Sequence, residues 1–478
     1  MTRRPAAVLA LAVVLALAGC TVGYQPSGAA GPSPTDDVSL GYYDGYRYNE
    51  SIDIDAEDGL SADETEAVVS RAMARIQLLR GLRFETDVDV EIVDKETFRE
   101  EYGDVWTEPT EDRRRLDNVQ HEALFLVGPD EDVVDVRRNN RGGVVLGFYQ
   151  PNEKRLVIVS RNDPATLDDE LTLAHELVHV LQDQHFGLSA EGSTLDSINA
   201  NSGLIEGDAT VVEQAYERNC ETGAWECIEV DTATGGLPED FHWGVYFLGF
   251  FPYAEGPSFV EYHRDRGGWT TVDSIHGDPP TASAELIHPE TYRQDAYGEA
   301  TVEDRNAPAW ERVTVEDGPD AATVGEAGLA TMFAYTAYAG DSPGVVDRDA
   351  FRNQGPDGLD SEQPYSYDVE YAEGWYADRL HAYERGNETA YVWNVTFVDE
   401  ANATAFAEGY GAVAAHWDGK RRALEGGTVW TFDGVGTPFE GAVRIERDEN
   451  AVTIVKAPTA ADLGDVYAPA DVDPIAAD

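Results

Sequence analysis

The chain has 478 residues, enough for two domains with their own cores, and its 42% apolar and 10% aromatic content excludes disorder over most of its length. Its formal charge of −57, from 91 acidic against 34 basic residues with only four lysines (Lys95, Lys154, Lys420, Lys456), excludes binding to nucleic acid or an anionic membrane through a basic patch. An acidic, lysine-poor composition is instead a halophilic solvation pattern, in which concentrated salt screens the self-repulsion.

Residues 1–20 read as a processing segment. Arg3 and Arg4 precede an apolar run over 6–18 that is too short to span a bilayer comfortably and ends at Leu17-Ala18-Gly19-Cys20. That ending resembles a lipobox, which implies cleavage before Cys20, lipidation of its sulfur and anchoring to the outer face of the cell membrane. The paired arginines point to twin-arginine export. The alternative is an ordinary secretory signal with Cys20 incidental, and both put the mature protein outside the cytoplasm, at the cell surface in the first case. Cys220 and Cys227 then remain, and a short-loop disulfide is their expected state. Sequons at Asn49, Asn387, Asn394 and Asn402 permit surface glycosylation.

Residues 21–50 have no apolar periodicity and are expected to be a flexible tether. Ser61-x-x-Glu64 reads as a capping box opening a helix to about Leu79, with Val68, Ala72, Ile76 and Leu79 on one stripe. Alternating Val88, Val90 and Ile92 predict a strand, followed by short helices over 96–102 and 114–126. Segments 144–149 and 155–159 predict a β-hairpin turning at Pro151-Asn152. Its edge could align an extended substrate, although core packing explains the same pattern. Thr166-x-x-Asp169 reads as the capping box of the next helix, which is expected to begin near Leu167.

That helix carries His175-Glu176-Leu177-Val178-His179, an H-E-x-x-H pattern. Residues four apart lie one turn above each other, so His175 and His179 present two imidazoles to one point, as two zinc ligands would be. Glu176 stands beside that point, where its carboxylate can act as general base toward a water activated by zinc. Ala174, Leu177, Val178 and Leu181 form the buried stripe of the same helix. A catalytic site needs a third ligand, and Glu206 is the preferred one, at the start of a helical stretch reaching about Glu217. Asp208 would project almost opposite, whereas Thr210 and Glu213 share the Glu206 face. A solvated carboxylate at a helix start is the alternative for Glu206.

H-E-x-x-H followed by a helix-borne Glu resembles the gluzincin group of zinc metallopeptidases. The longer series is Gly147-Phe148-Tyr149, the 175–179 motif continuing to Gln182-Asp183-Gln184-His185-Phe186, Glu206-Gly207-Asp208-Ala209, Phe251-Pro252-Tyr253-Ala254-Glu255-Gly256-Pro257, Pro279-Pro280-Thr281 and Ile287-His288-Pro289-Glu290-x-Tyr292. It resembles a family of surface metallopeptidases represented in haloarchaea by Hvo-type surface lipoproteins, over roughly residues 60–295, with weaker similarity at Glu373-Gly374-Trp375 and beyond. The resemblance implies a zincin-like fold, Zn2+ held by His175, His179 and Glu206, Glu176 as base, and a peptide or protein substrate. Many gluzincins carry an Asp four residues after the ligand Glu to orient a zinc histidine; here that position is Thr210. His288, Tyr253, Tyr292 and Asp208 are candidates for stabilising the oxyanion or orienting a ligand, with plain structural packing as the alternative for each.

The chain turns polar and proline-bearing over 306–319, the expected link to a second unit with a helix over 325–337, an acidic loop-rich stretch over 340–367, a strand over 389–397, a helix over 400–417 and strands near Val429 and over 443–455. The expected architecture is α+β: a metallopeptidase domain over 51–305 with its active-site helix beside a β-hairpin or sheet, then a smaller α+β domain over 320–470. The rival functional readings are a surface binding or envelope scaffold with a structural metal site, and a metal transporter or sensor. Spacing gives neither the substrate nor the oligomeric state.

Overall fold

The computed structural model describes residues 40–468 apart from 57–58, 103–108, 142–144, 189–191, 231, 233–236, 239, 317, 340–342, 356–357 and 425–426. The expected signal segment, Cys20 and most of the expected tether lie outside the described residues. The end of that tether is built structure, contrary to expectation. Strands β1 (Tyr42–Tyr43) and β2 (Tyr46–Arg47) pair and dock on helix α1 (Ala62–Arg80). Gln77 Nε2 donates to the Tyr42 carbonyl at 2.9 Å and Arg75 Nε to that of Tyr48 at 2.8 Å, so side chains of α1 replace the pairing that so short a hairpin lacks. α1 starts at the reciprocal Ser61–Glu64 cap read from the sequence and stops at Gly81, whose φ of 80° suits a residue without Cβ.

Next come β3 (Asp89–Asp94), α2 (Lys95–Glu101), α3 (Glu111–Ala123), α4 (Val133–Arg141), β4 (Gly147–Gln150) and β5 (Arg155–Ser160). The three strands form a small sheet of order β3-β5-β4, with β3 parallel and β4 antiparallel to β5. The expected hairpin is therefore β4–β5, with β4 at an edge.

Helices α5 (Glu170–Phe186), α6 (Leu195–Glu221) and α7 (Trp243–Gly267) carry the centre of the molecule. Two starts differ from the sequence expectation. α5 is capped by Asp169, which accepts from the Thr172 N–H at 2.7 Å, while the Thr166 hydroxyl bonds to Asp168 in the preceding turn. α6 begins at Leu195, where Thr194 and Ser197 cap each other reciprocally, so Glu206 lies in the helix interior and not at its start. α6 and α7 touch backbone to backbone: a Cβ on Gly207 would lie 2.3 Å from the Gly256 carbonyl carbon. α8 (Trp269–His276) and α9 (Ala284–Ile287) follow and pack on α7.

The remaining elements are β6 (Glu311–Arg312), α10 (Gly325–Tyr335), α11 (Arg348–Phe351), β7 (Gln354–Gly355), β8 (Gly358–Leu359), β9 (Trp375–Arg385), β10 (Glu388–Phe397), α12 (Glu400–His416), β11 (Lys420–Leu424), β12 (Gly427–Asp433), β13 (Glu440–Asp448), β14 (Ala451–Ala457) and α13 (Leu463–Val466). β6 and β9–β14 make a seven-stranded antiparallel sheet of order β11-β12-β13-β14-β10-β9-β6. The 306–319 segment expected as a link is part of this sheet: it supplies β6, and the Val313 N–H donates to the Ala382 carbonyl at 2.9 Å.

The two expected units also share a core. One apolar cluster runs from Leu116 on α3 through Phe247 and Phe250 on α7 and Phe333 on α10 to Trp393, Phe406 and Ile454 around the sheet. A second cluster joins Val68 and Ile76 of α1 to Ile158 of β5, Leu177 and Leu181 of α5 and Val212 of α6. The chain is α+β, and among the described residues no helix is long and apolar enough to cross a membrane.

Candidate metal centre

The helical period of α5 brings His175 and His179 together with ring centroids 4.9 Å apart and planes at 83°. α6 crosses them with Glu206. One carboxylate oxygen of Glu206 lies 3.3 Å from Nε2 of His175 and 3.3 Å from Nε2 of His179. These three side chains, all buried, offer ligand atoms within 4.8 Å of one another, and they are the one such group among the described residues.

The outer nitrogens fix which atoms face inward. His175 Nδ1 pairs with Glu213 Oε2 at 2.8 Å, and His179 Nδ1 with Gln182 Oε1 at 2.9 Å. Each Nδ1 therefore donates to an oxygen and leaves its Nε2 lone pair for a cation. Gln182 in turn donates through Nε2 to the Ile205 carbonyl at 2.9 Å, tying α5 to α6 next to Glu206. Thr210, at the position where gluzincins often carry the orienting Asp, makes no such bond; Glu213 reaches His175 from one turn further along. The sequence placed Glu213 on the Glu206 face without giving it a role. Its spacing of seven from Glu206 was the available signal, as was the spacing of three between His179 and Gln182.

The electrostatics fit a cation. Burial opposes charge on all three groups, yet the carboxylates of Glu206 and Glu213 raise the His175 pKa well above its ordinary value. In the other direction, His179 and His175 pull the Glu206 carboxyl down to about 2. A site whose carboxylates demand positive charge of two imidazoles is one that a divalent ion satisfies. The donor set of two imidazoles and one carboxylate is one that could hold a divalent transition-metal ion.

Glu176 lies against this point, 1% exposed, and its Oε2 is buried without a hydrogen-bond partner. Burial raises its pKa, against the pull of His179 and His175. Behind it runs β4, so close that a Cβ on Gly147 would stand 3.0 Å from the Glu176 Cγ. The Gly147-Phe148-Tyr149 stretch thus owes its glycine to this approach.

The remaining candidates separate. Tyr253 on α7 stacks on His175, with ring centroids 6.3 Å apart and planes at 27°. His288 instead pairs with buried Glu326 at 3.1 Å, a hydrogen bond that raises its pKa to about 9. The Tyr292 hydroxyl donates to the Asp278 carbonyl, and its ring packs on Phe259. Asp208 does turn away from Glu206, as the helical period requires, and accepts from Arg80 Nε at 2.8 Å and His276 Nε2 at 2.9 Å. Tyr292 and Asp208 thus have their polar atoms on partners outside the metal group.

Cys220 and Cys227 form a disulfide. The sequons divide as well. Asn49 and Asn387 are exposed, whereas Nδ2 of Asn394 donates to the Thr301 carbonyl and Nδ2 of Asn402 to that of Glu373, both at 3.0 Å.

Residues 311–467 match a family described as a domain of unknown function (DUF8575), which covers the seven-stranded sheet and none of the metal group. No curated protein and no solved structure matches the chain.

Proposed function

We propose that this chain is an exported, lipid-anchored zinc metallopeptidase acting at the cell surface, with a zincin-like fold around α5 and α6. The observation that carries the reading is the convergence of both Nε2 atoms on the Glu206 carboxylate, with the unpartnered Glu176 oxygen buried beside them. A structural metal site has no use for an unsatisfied buried carboxylate, which costs stability unless a reacting group fills the place.

His175, His179 and Glu206 would hold the ion, with Glu213 and Gln182 setting the ring orientations. Bound zinc supplies Lewis-acid activation of water and of the scissile carbonyl. Glu176, its proton affinity raised by burial, takes the proton from the attacking water and passes it to the leaving amine. Tyr253, whose ring stacks on His175, is the candidate hydrogen-bond donor that stands at the metal group. The edge strand β4 lies beside Glu176, and a sheet edge is where an extended peptide could add as a further strand.

The test is zinc content and peptide cleavage of the chain purified in molar salt. The expected result is one zinc per chain, lost in His179→Ala. Glu176→Gln should keep the zinc and lose cleavage by about 1,000-fold or more, the range of a missing general base and its electrostatic support. A wild type that takes up no zinc, or a Glu176→Gln variant that still cleaves, would refute the assignment.

A further inference from the structure

Three arginines of α1 stand in the core. Arg71, Arg75 and Arg80 are at most 2% exposed, in a chain that has only 34 basic residues for 91 acidic ones. Each is paired to a carboxylate that is itself fully buried. Arg71 and Arg75 hold the two oxygens of Glu170 at 2.9 and 2.7 Å, and Arg80 holds Asp208 at 2.8 Å through Nε and the part-exposed Asp273 at 2.7 Å through Nη2. Buried ion pairs are poor devices for stability, because apolar residues of similar volume usually do as well or better. Their hydrogen bonds are directional, and the rigid guanidinium of Arg80 spans two carboxylates, which makes them good devices for position.

The positions they fix are those of the metal helices. Glu170 is the first residue of α5, and its carboxylate also accepts from the Tyr216 hydroxyl of α6 and from the Ile228 N–H at 3.0 Å, just beyond the disulfide. Its place along α1 sets how far α5 slides relative to α6, and so where His175 and His179 stand. Asp208 lies two residues after Glu206, about 200° round the helix, so a pull on Asp208 toward α1 aims Glu206 at the histidines. A rotation of α6 by one residue, about 100°, would carry Glu206 off the site. The Gly207–Gly256 contact holds α6 on a further face, about 100° from Asp208.

We infer that Arg80, through Asp208, and Arg71 with Arg75, through Glu170, are positioning residues of the metal centre: α1 sets the spacing and rotation of the two helices whose ligands converge. This rests on the metal reading above for its consequence, not for its geometry. A purely structural role predicts that stability and metal affinity fall together; positioning separates them.

The test compares Arg80→Met/Asp208→Leu, which replaces the fully buried pair with apolar side chains of similar bulk and leaves the part-exposed Asp273 to solvent, with the wild type in molar salt. Thermal stability, zinc affinity by chelator competition and the visible spectrum of the Co2+ form are read on each. The expected result is a melting temperature at or near the wild-type value, zinc binding weakened about 10-fold or more, as for lost orienting partners, and an altered Co2+ spectrum. Zinc affinity within twofold of wild type with an unchanged spectrum would overturn the inference.

Should that double variant not fold, Arg80→Lys keeps the charge and removes the fork. A folded Arg80→Lys with wild-type affinity and spectrum overturns the inference, and weakened binding at unchanged melting temperature supports it. Hydrogen exchange of α5 and α6 in the metal-free chains reads the clamp without metal. A wild type that binds no zinc sinks the metal reading alone, while equal exchange in wild type and variant sinks the clamp.

Discussion

Glu213 shows how little one side chain needs to do to matter here. It holds Nδ1 of His175 at 2.8 Å and is the carboxylate that keeps this ring turned with Nε2 inward. Glu213→Ala is expected to weaken zinc binding about 10- to 100-fold with little change in melting temperature, measured by chelator competition; unchanged affinity would deny it the orienting role. His288 gives a pH-dependent prediction remote from the metal. Its pKa is raised to about 9 from an ordinary 6.5, chiefly by its hydrogen bond to Glu326, and burial raises the Glu326 carboxyl as well. The fold thus favours the proton at this pair. The contribution of His288 is complete below about pH 6.5 and is lost as pH rises through about 9. Melting temperature should fall across that window, and Glu326→Gln should flatten the slope; a parallel slope in the variant would assign it to other groups.

At the scale of elements, Asp378 on β9 illustrates how a helix is pinned to a sheet. It accepts from the Val324 and Gly325 N–H groups at the start of α10, at 3.1 and 3.0 Å, and from the indoles of Trp393 and Trp375. Asp378→Ala leaves these buried donors unanswered and is expected to cost about 3 kcal/mol, read from the denaturation midpoint. Much of the local plan was legible. The period of α5 declared its two histidines because apolar and ligand faces alternate with the helical repeat, and the α1 cap was written in Ser61 and Glu64. Other elements were hidden by their own composition. The first turns of α6 contain Asn199, Asn201, Ser202 and Gly203, poor helix formers that packing of Leu195, Ala200 and Leu204 overrides. α7 carries Pro252 and Pro257 in its interior, each of which removes a helical hydrogen bond yet is tolerated where Phe247, Phe250, Phe251 and Phe259 bury the surrounding turns. The stretch over 306–319 reads as a link because it is polar and proline-bearing, and its strand β6, two residues long, is too short to show a periodicity.

For the whole molecule the governing quantity is charge. Net −57 on one chain produces repulsion that salt removes, since the screening length shrinks from about 10 Å at 0.1 M to about 3 Å at 1 M. Melting temperature is expected to climb steadily with NaCl into the molar range; a value indifferent to salt would contradict the halophilic reading. The arginine pairs of α1 should be the part of the electrostatics least affected, because they lie out of reach of the ions.

The shared core has a consequence for the matched segment. Residues 311–467 are the part of the chain that a family recognises, yet their apolar surface is completed by Leu116, Phe247 and Phe250 from outside that segment. Alone, that segment would therefore expose the apolar surface that these side chains cover here. In this chain the cover comes from α3 and α7, and α7 in turn touches, backbone to backbone, the helix α6 that carries Glu206.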